Sequence, residues 1–136
     1  MTDEHAHVRS VTRAVEVEAD ADEVWSAIRD ADQRSGWLDD DDARARQLRL
    51  DEVDDGRRLV WTWWHPDDES GASTVEIVLA PTPGGTRVVV TETLATPVRA
   101  SATAAGGGVT LRAGDRWGYR LLGLELLFVA AGVLAR

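Results

Sequence analysis

Gln47-Leu-Arg-Leu-Asp-Glu-Val-Asp-Asp-Gly-Arg-Arg-Leu-Val-Trp-Thr-Trp-Trp-His65 decides the fold class. From Gln47 to Val53 polar and apolar residues alternate, Asp54-Asp55-Gly56 supplies a tight turn, and Arg58 to His65 alternates again. That is the pattern of two antiparallel strands joined by a hairpin. Side-chain direction in a strand has a period of two, so Leu59, Trp61, Trp63 and His65 share one face while Val60, Thr62 and Trp64 share the other. The first of these faces carries large rings that need covering.

Outward from the hairpin the same period continues. Downstream, Val75, Ile77 and Leu79 line one face of a further strand and Pro81-Thr-Pro-Gly-Gly85 reverses the chain. Val88, Val90 and Glu92 then alternate with Arg87, Val89 and Thr91, which makes a meander. Upstream, Val11 to Glu18 sets Val15 and Val17 against Glu16 and Glu18, a half-buried strand. Asp20 with Glu23 three residues on predicts a capping box, and Val24, Trp25 and Ile28 follow at helical spacing, with Trp25 read as core. Asp30 to Leu38, interrupted by Gly36, holds at most a second short helix, and the Asp39 to Asp42 run reads as a solvated loop. Ala95 to Ala113, with Gly106-Gly107-Gly108, has little to pack and is expected to be the most mobile part. From Gly114 a helix runs almost to the end, its stripe being Trp117, Leu121, Leu124 and Phe128. Leu122, Leu126, Val129 and Val133 make its other side apolar too. Residues 1–9 read as a frayed tail and 10–136 as a single domain.

Composition narrows the functional classes. A chain of 136 residues buries enough surface for one genuine core. Its 24 acidic against 15 basic residues give a net charge of −9, which repels nucleic-acid phosphates and anionic headgroups and argues against both as partners. Every basic residue is Arg, so a lysine Schiff base is excluded, and the lack of cysteine excludes disulfides, thiolate nucleophiles and Cys-ligated metal. The polar, acidic start is unlike a secretory signal, and Leu121 to Ala135, broken by Glu125, is shorter than the roughly 20 apolar residues a membrane span needs. A cytoplasmic protein with no membrane span is expected.

Several local sequences carry a family resemblance: Ala21-Asp-Glu-Val-Trp25-Ser-Ala-Ile28, Trp37-Leu38, the hairpin from Glu52 to Trp63, Ser73-Thr-Val-Glu-Ile77, Gly84-Gly-Thr-Arg-Val-Val-Val-Thr-Glu92, and Arg116-Trp117-Gly-Tyr-Arg-Leu121-Leu-Gly-Leu124. Together, and in this order, they are similar to the START-like/polyketide-cyclase (SRPBCC) superfamily and resemble its branch of activator of heat-shock-protein ATPase homologue-like proteins over nearly the whole chain. The resemblance implies an α+β helix-grip fold. In it a curved antiparallel sheet of about five to six strands wraps a long C-terminal helix, with two short helices after the first strand. Such relatives place about one more strand between the Trp-Leu pair and the hairpin. Only Asp39 to Arg49 intervenes here, so the sheet is expected to be a strand short and its cavity more open. The co-chaperone activity that names the branch is not part of what the resemblance implies.

The space between sheet and long helix is the default site of such a fold. Trp37, Trp61, Trp63, Ile77, Val88, Val90, Glu92, Trp117, Leu121 and Leu124 are expected around it, and for the tryptophans pocket lining and plain core both stand open. Glu92 falls on the apolar side of its strand, where it needs a partner; it is the one candidate for a catalytic role, or is paired with an Arg or solvated near the strand end. His65 precedes Pro66 at a strand end and has no second histidine near it, and the aspartate run lacks the glycine and closing glutamate of a calcium loop. No metal and no cofactor are expected. The leading expectation is a binding protein for an apolar small molecule, lipid or polyketide-like. A cyclase- or aromatase-like enzyme using Glu92 is the alternative, and an interaction module forming a homodimer through the C-terminal helix is the second.

Overall fold

The computed structural model describes residues 9–94 and 115–129. Five strands, β1 (Arg9–Val17), β2 (Gln47–Asp54), β3 (Arg58–His65), β4 (Asp68–Thr82) and β5 (Gly85–Leu94), form one antiparallel sheet in the order β1-β5-β4-β3-β2. Strands β2 to β5 are the expected meander. Strand β1 pairs with β5 from Arg9↔Leu94 to Val17↔Thr86, so the chain between β1 and β2 crosses from one sheet edge to the other. Three short helices, α1 (Ala21–Arg29), α2 (Ala31–Trp37) and α3 (Asp41–Ala45), occupy that crossing, and a fourth, α4, covers residues 115–129.

Two turns depend on glycine. Gly56 takes φ 78° in the β2–β3 turn, a left-handed conformation that costs other residues energy. Gly85 takes φ 155°, and a Cβ there would lie 2.0 Å from the Val17 carbonyl oxygen. The end of β1 therefore packs directly on the backbone that starts β5.

The inward positions behave as their alternation predicts. Leu59, Trp61, Trp63, Val75, Ile77, Val88 and Val90 are buried on the sheet, and Trp117, Leu121 and Leu124 of α4 are buried with them. Val24, Ala27 and Ile28 of α1, with Trp37 and Leu38, complete the core, while Trp25 and Phe128 pack at its margin. Each buried indole removes about 200 Å² from water, a gross contribution of roughly 5 kcal/mol before side-chain ordering is charged against it.

Three expectations need correction. Asp20 is the N-cap of α1 by position, and its carbonyl accepts from Glu23 and Val24, but its side chain makes no cap bond. The capping box is not formed: the Asp20 side chain is exposed and only its backbone carbonyl serves the first turn of α1. Nor is Asp39 to Asp42 a solvated loop: Asp40 caps α3 by accepting from the Ala43 N–H at 2.8 Å, and Asp41 and Asp42 form its first turn. A third helix thus joins the two expected ones. Arg9, assigned to the tail of residues 1–9, begins β1 by pairing with Leu94, while residues 1–8, and the expected mobile stretch from Ala95 to Ala113, lie outside the described residues. Among the described residues no helix is long and apolar enough to cross a membrane.

Candidate functional site

Glu92 is the polar centre of the inward face. It is 8% exposed, and both of its oxygens are occupied. Trp117 donates from Nε1 to Oε1 at 2.7 Å, Trp63 donates from Nε1 to Oε2 at 2.9 Å, and the Ser73 hydroxyl also donates to Oε2. Trp63 shares its N–H with Ser73 Oγ at 3.1 Å. An indole N–H only donates, so two of them converging on one group call for an acceptor, and a carboxylate meets that need in a dry site. Glu92 thereby ties β3, β4, β5 and α4 together. Among the described residues no Arg pairs with it, and it is buried away from solvent.

A second polar layer lies behind the rings. Trp63 and Trp117 stack with centroids 6.0 Å apart, and Trp61 meets Trp63 edge-on at 5.6 Å. Arg120, only 2% exposed, lies over Trp117 at 4.8 Å and over Trp63 at 5.3 Å, and Arg46 lies over Trp63 at 4.9 Å. These cations face electron-rich rings whose N–H edges point at Glu92, so opposite charges sit on either side of an indole layer. Arg120 is itself held by both oxygens of Asp40, at 2.7 and 3.1 Å, and by Asp42 at 3.0 Å. Asp42 also takes Arg46 Nε at 3.1 Å and lies 3.0 Å from His65 Nε2. Burial by itself would raise both carboxyls. For Asp40 the bonds from Arg120 and the Ala43 N–H outweigh it, and for Asp42 the charges of Arg46 and Arg116 with the bonds from Arg46 and Arg120 do so. Both are held below the ordinary carboxylate value.

Beside this layer a pocket of about 210 Å³ opens between α2, α3 and β2, with Leu38, Leu48 and Trp63 as apolar walls and Arg34, Arg44 and Arg46 around them. Arg34 extends over Trp61 at 5.6 Å and donates to the Ile28 carbonyl, and burial, opposed by Asp30, pulls its guanidinium below the usual value. Among the described residues, Arg46 Nη1 and Trp61 Nε1 are buried donors with no hydrogen-bond partner.

All ten residues expected around the site lie together in the core. Trp63 touches both Trp61 and Trp117, and Glu92 joins Trp63 to Trp117. Trp37 is turned aside, giving its N–H to the Ala27 carbonyl at 2.9 Å. Ile77, Val88, Val90, Leu121 and Leu124 form the apolar surround, and Trp63 reaches the pocket. Sequence reasoning missed Arg120, Asp40, Asp42, Arg46 and Ser73. For Arg120 a signal exists: it precedes Leu124 by four residues and follows Trp117 by three, which sets it on the buried stripe. Trp64 faces the other way, half-buried on the outer surface of the sheet beside Thr62 and Arg49.

A family model described as Activator of Hsp90 ATPase homolog 1-like protein matches residues 39–116, from the start of the aspartate run through the meander to the first turn of α4. In structure the chain is similar to protein MLL2253 from Mesorhizobium loti, with a TM-score of 0.68 at 21% identity over 88% of this chain and 96% of that one. It is similar to CalU16 from Micromonospora echinospora, at a TM-score of 0.64 and 19% identity over 88% and 74%. It is also similar to the Aha1 dimer from Colwellia psychrerythraea, at 0.64 and 11% over 88% and 95%. At these identities the likenesses speak for the helix-grip fold. No curated protein matches the sequence.

Proposed function

The chain belongs to the activator of Hsp90 ATPase homolog 1-like family, and from that premise we propose that it binds a small hydrophobic molecule and performs no chemistry on it. The observation that carries this reading is the apolar-walled pocket of about 210 Å³ whose inner wall is Trp63. Drug-sized ligands occupy roughly 300–1,000 Å³, so the occupant is small. Trp63 is held rigidly by Glu92, Ser73, Trp61 and Trp117, which lowers the ordering cost of presenting its ring to a ligand. The occupation of both Glu92 oxygens supports a positioning role for this carboxylate in place of proton transfer, since a general base needs a free oxygen facing its substrate.

The test is a panel of neutral apolar compounds of up to about a dozen non-hydrogen atoms, followed by thermal melting and tryptophan emission. A ligand at 100 times its Kd raises stability by about 2.7 kcal/mol, a readily measured shift. A panel that moves neither Tm nor emission refutes the reading.

A second reading, pairing with another copy of the chain, is favoured by the outer face of α4. Tyr119, Leu122, Leu126, Leu127 and Val129 are exposed there, and the Colwellia relative is described as a dimer. Light scattering tests it: a dimer that Leu122→Glu with Leu126→Glu converts to monomer supports it, and a wild-type monomer at millimolar concentration rejects it.

A further inference from the structure

We propose that the pocket takes an amphiphilic anion, a short aliphatic or aromatic carboxylic acid whose head is bound by arginine while its body lies on Trp63. The inference rests on the hydrophobic-ligand reading and adds the charge of the ligand.

Three of the residues lining the pocket are arginines, Arg34, Arg44 and Arg46, and none is acidic. That is unexpected in a molecule of net charge −9. The partners of these arginines lie away from the lining. Arg44 bonds Asp41, Arg34 bonds backbone carbonyls, and Arg46 spends Nε on Asp42 at 3.1 Å. Arg46 is the decisive one. Its side chain is 12% exposed, it lies over the Trp63 ring at 4.9 Å, and its buried Nη1 has no acceptor among the described residues. A buried guanidinium N–H without an acceptor is costly, and a ligand oxygen at the pocket wall that Arg46 lines would supply one. A planar carboxylate fits a guanidinium fork better than a neutral group does. Leu38 and Leu48 leave the rest of the space apolar, so inorganic anions gain little there. At ~30 Å³ per water-sized group the pocket of about 210 Å³ admits about seven such groups, close to the roughly eight or nine non-hydrogen atoms of hexanoate and benzoate.

The experiment compares hexanoate with hexanamide and benzoate with benzamide at fixed pH and ionic strength. The Trp63 Nε1–H and Arg46 Nε–H signals are followed by two-dimensional NMR on the full chain. The acids are expected to bind at least tenfold more tightly than their amides, with both signals shifting, and Arg46→Met is expected to remove that preference. Because Arg46 also holds Asp42, the wild-type comparison decides the matter if this variant does not fold. Equal affinity of acid and amide overturns the anion inference and leaves the hydrophobic-ligand reading standing. Binding of none of the four at 50 mM overturns both.

Discussion

Replacing Arg120 with methionine keeps most of the side-chain volume against Trp63 and Trp117 but removes the guanidinium that joins α4 to α3. Three bonds disappear, to Asp40 at 2.7 and 3.1 Å and to Asp42 at 3.0 Å. Breaking a buried ion pair by deleting one partner costs about 3–5 kcal/mol, mostly because the other charge is left behind. Here the lower end applies. The carboxylates are 21% and 14% exposed, Asp42 keeps Arg46 and His65, and Asp40 keeps its cap bond to Ala43. A loss of about 3 kcal/mol is therefore expected, and at about 4 °C per kcal/mol for a domain of this size it lowers Tm by roughly 12 °C. Urea unfolding followed by tryptophan emission measures it directly. Arg116→Met is the internal control, since Arg116 is 41% exposed and 3.7 Å from Asp42, and should change stability by no more than about 0.5 kcal/mol. Adding Asp40→Asn to Arg120→Met should recover part of the loss, because the stranded charge goes while the cap oxygen stays. A loss below about 1 kcal/mol for Arg120→Met refutes the reasoning and assigns the docking of α4 to its apolar stripe alone.

Glu92→Leu leaves the buried Trp117 N–H without its acceptor and Trp63 with only Ser73 Oγ, and is expected to cost about 3 kcal/mol in urea unfolding, while Ser73→Ala costs about 1. If the two variants prove equally mild, Glu92 does not organise the rings. Asp40 and Asp42 titrate below their unfolded value of 3.8 in the folded chain, so their contribution is present above that value and lost as pH falls through the folded values. The stability curve of Asp40→Asn/Asp42→Asn should accordingly fall less steeply than wild type below about pH 4, and parallel curves from pH 7 to 3 contradict this. Gly85→Ala, whose Cβ would meet the Val17 carbonyl at 2.0 Å, should lose more than about 3 kcal/mol by thermal melting. Gly56→Ala, with φ 78° and open space around it, should lose about 1, so a reversed order of the two would show that the β1–β5 contact is not tight.

The legible part of this protein is the part governed by local rules. Asp54-Asp55-Gly56 and Gly84-Gly85 mark turns because of what their own backbones tolerate, and the alternation of Leu59, Trp61 and Trp63 states which face is buried. The stripe of Trp117, Leu121 and Leu124 did the same for α4, and these patterns in order carried the family resemblance. The reading failed at charges. Asp39 to Asp42 looks solvated in sequence because its partner, Arg120, lies 80 residues from Asp40, and Asp20 looks like a side-chain cap although only its backbone carbonyl serves α1. The candidate site divides in the same way. Its ten expected residues were legible because a period of two or 3.6 places them inward.

Amino-acid order alone therefore determined the sheet, its inward rings, the long helix and the exclusion of thiol and lysine chemistry, since each follows from a residue and its near neighbours. Tertiary structure decided that Glu92 is an acceptor for two indoles, that Arg120 is buried between them and an aspartate pair, and that an arginine-lined pocket opens beside Trp63. The physical reason is that the cost of burying a charge depends on which partners reach it, and those partners come from segments that only folding brings together.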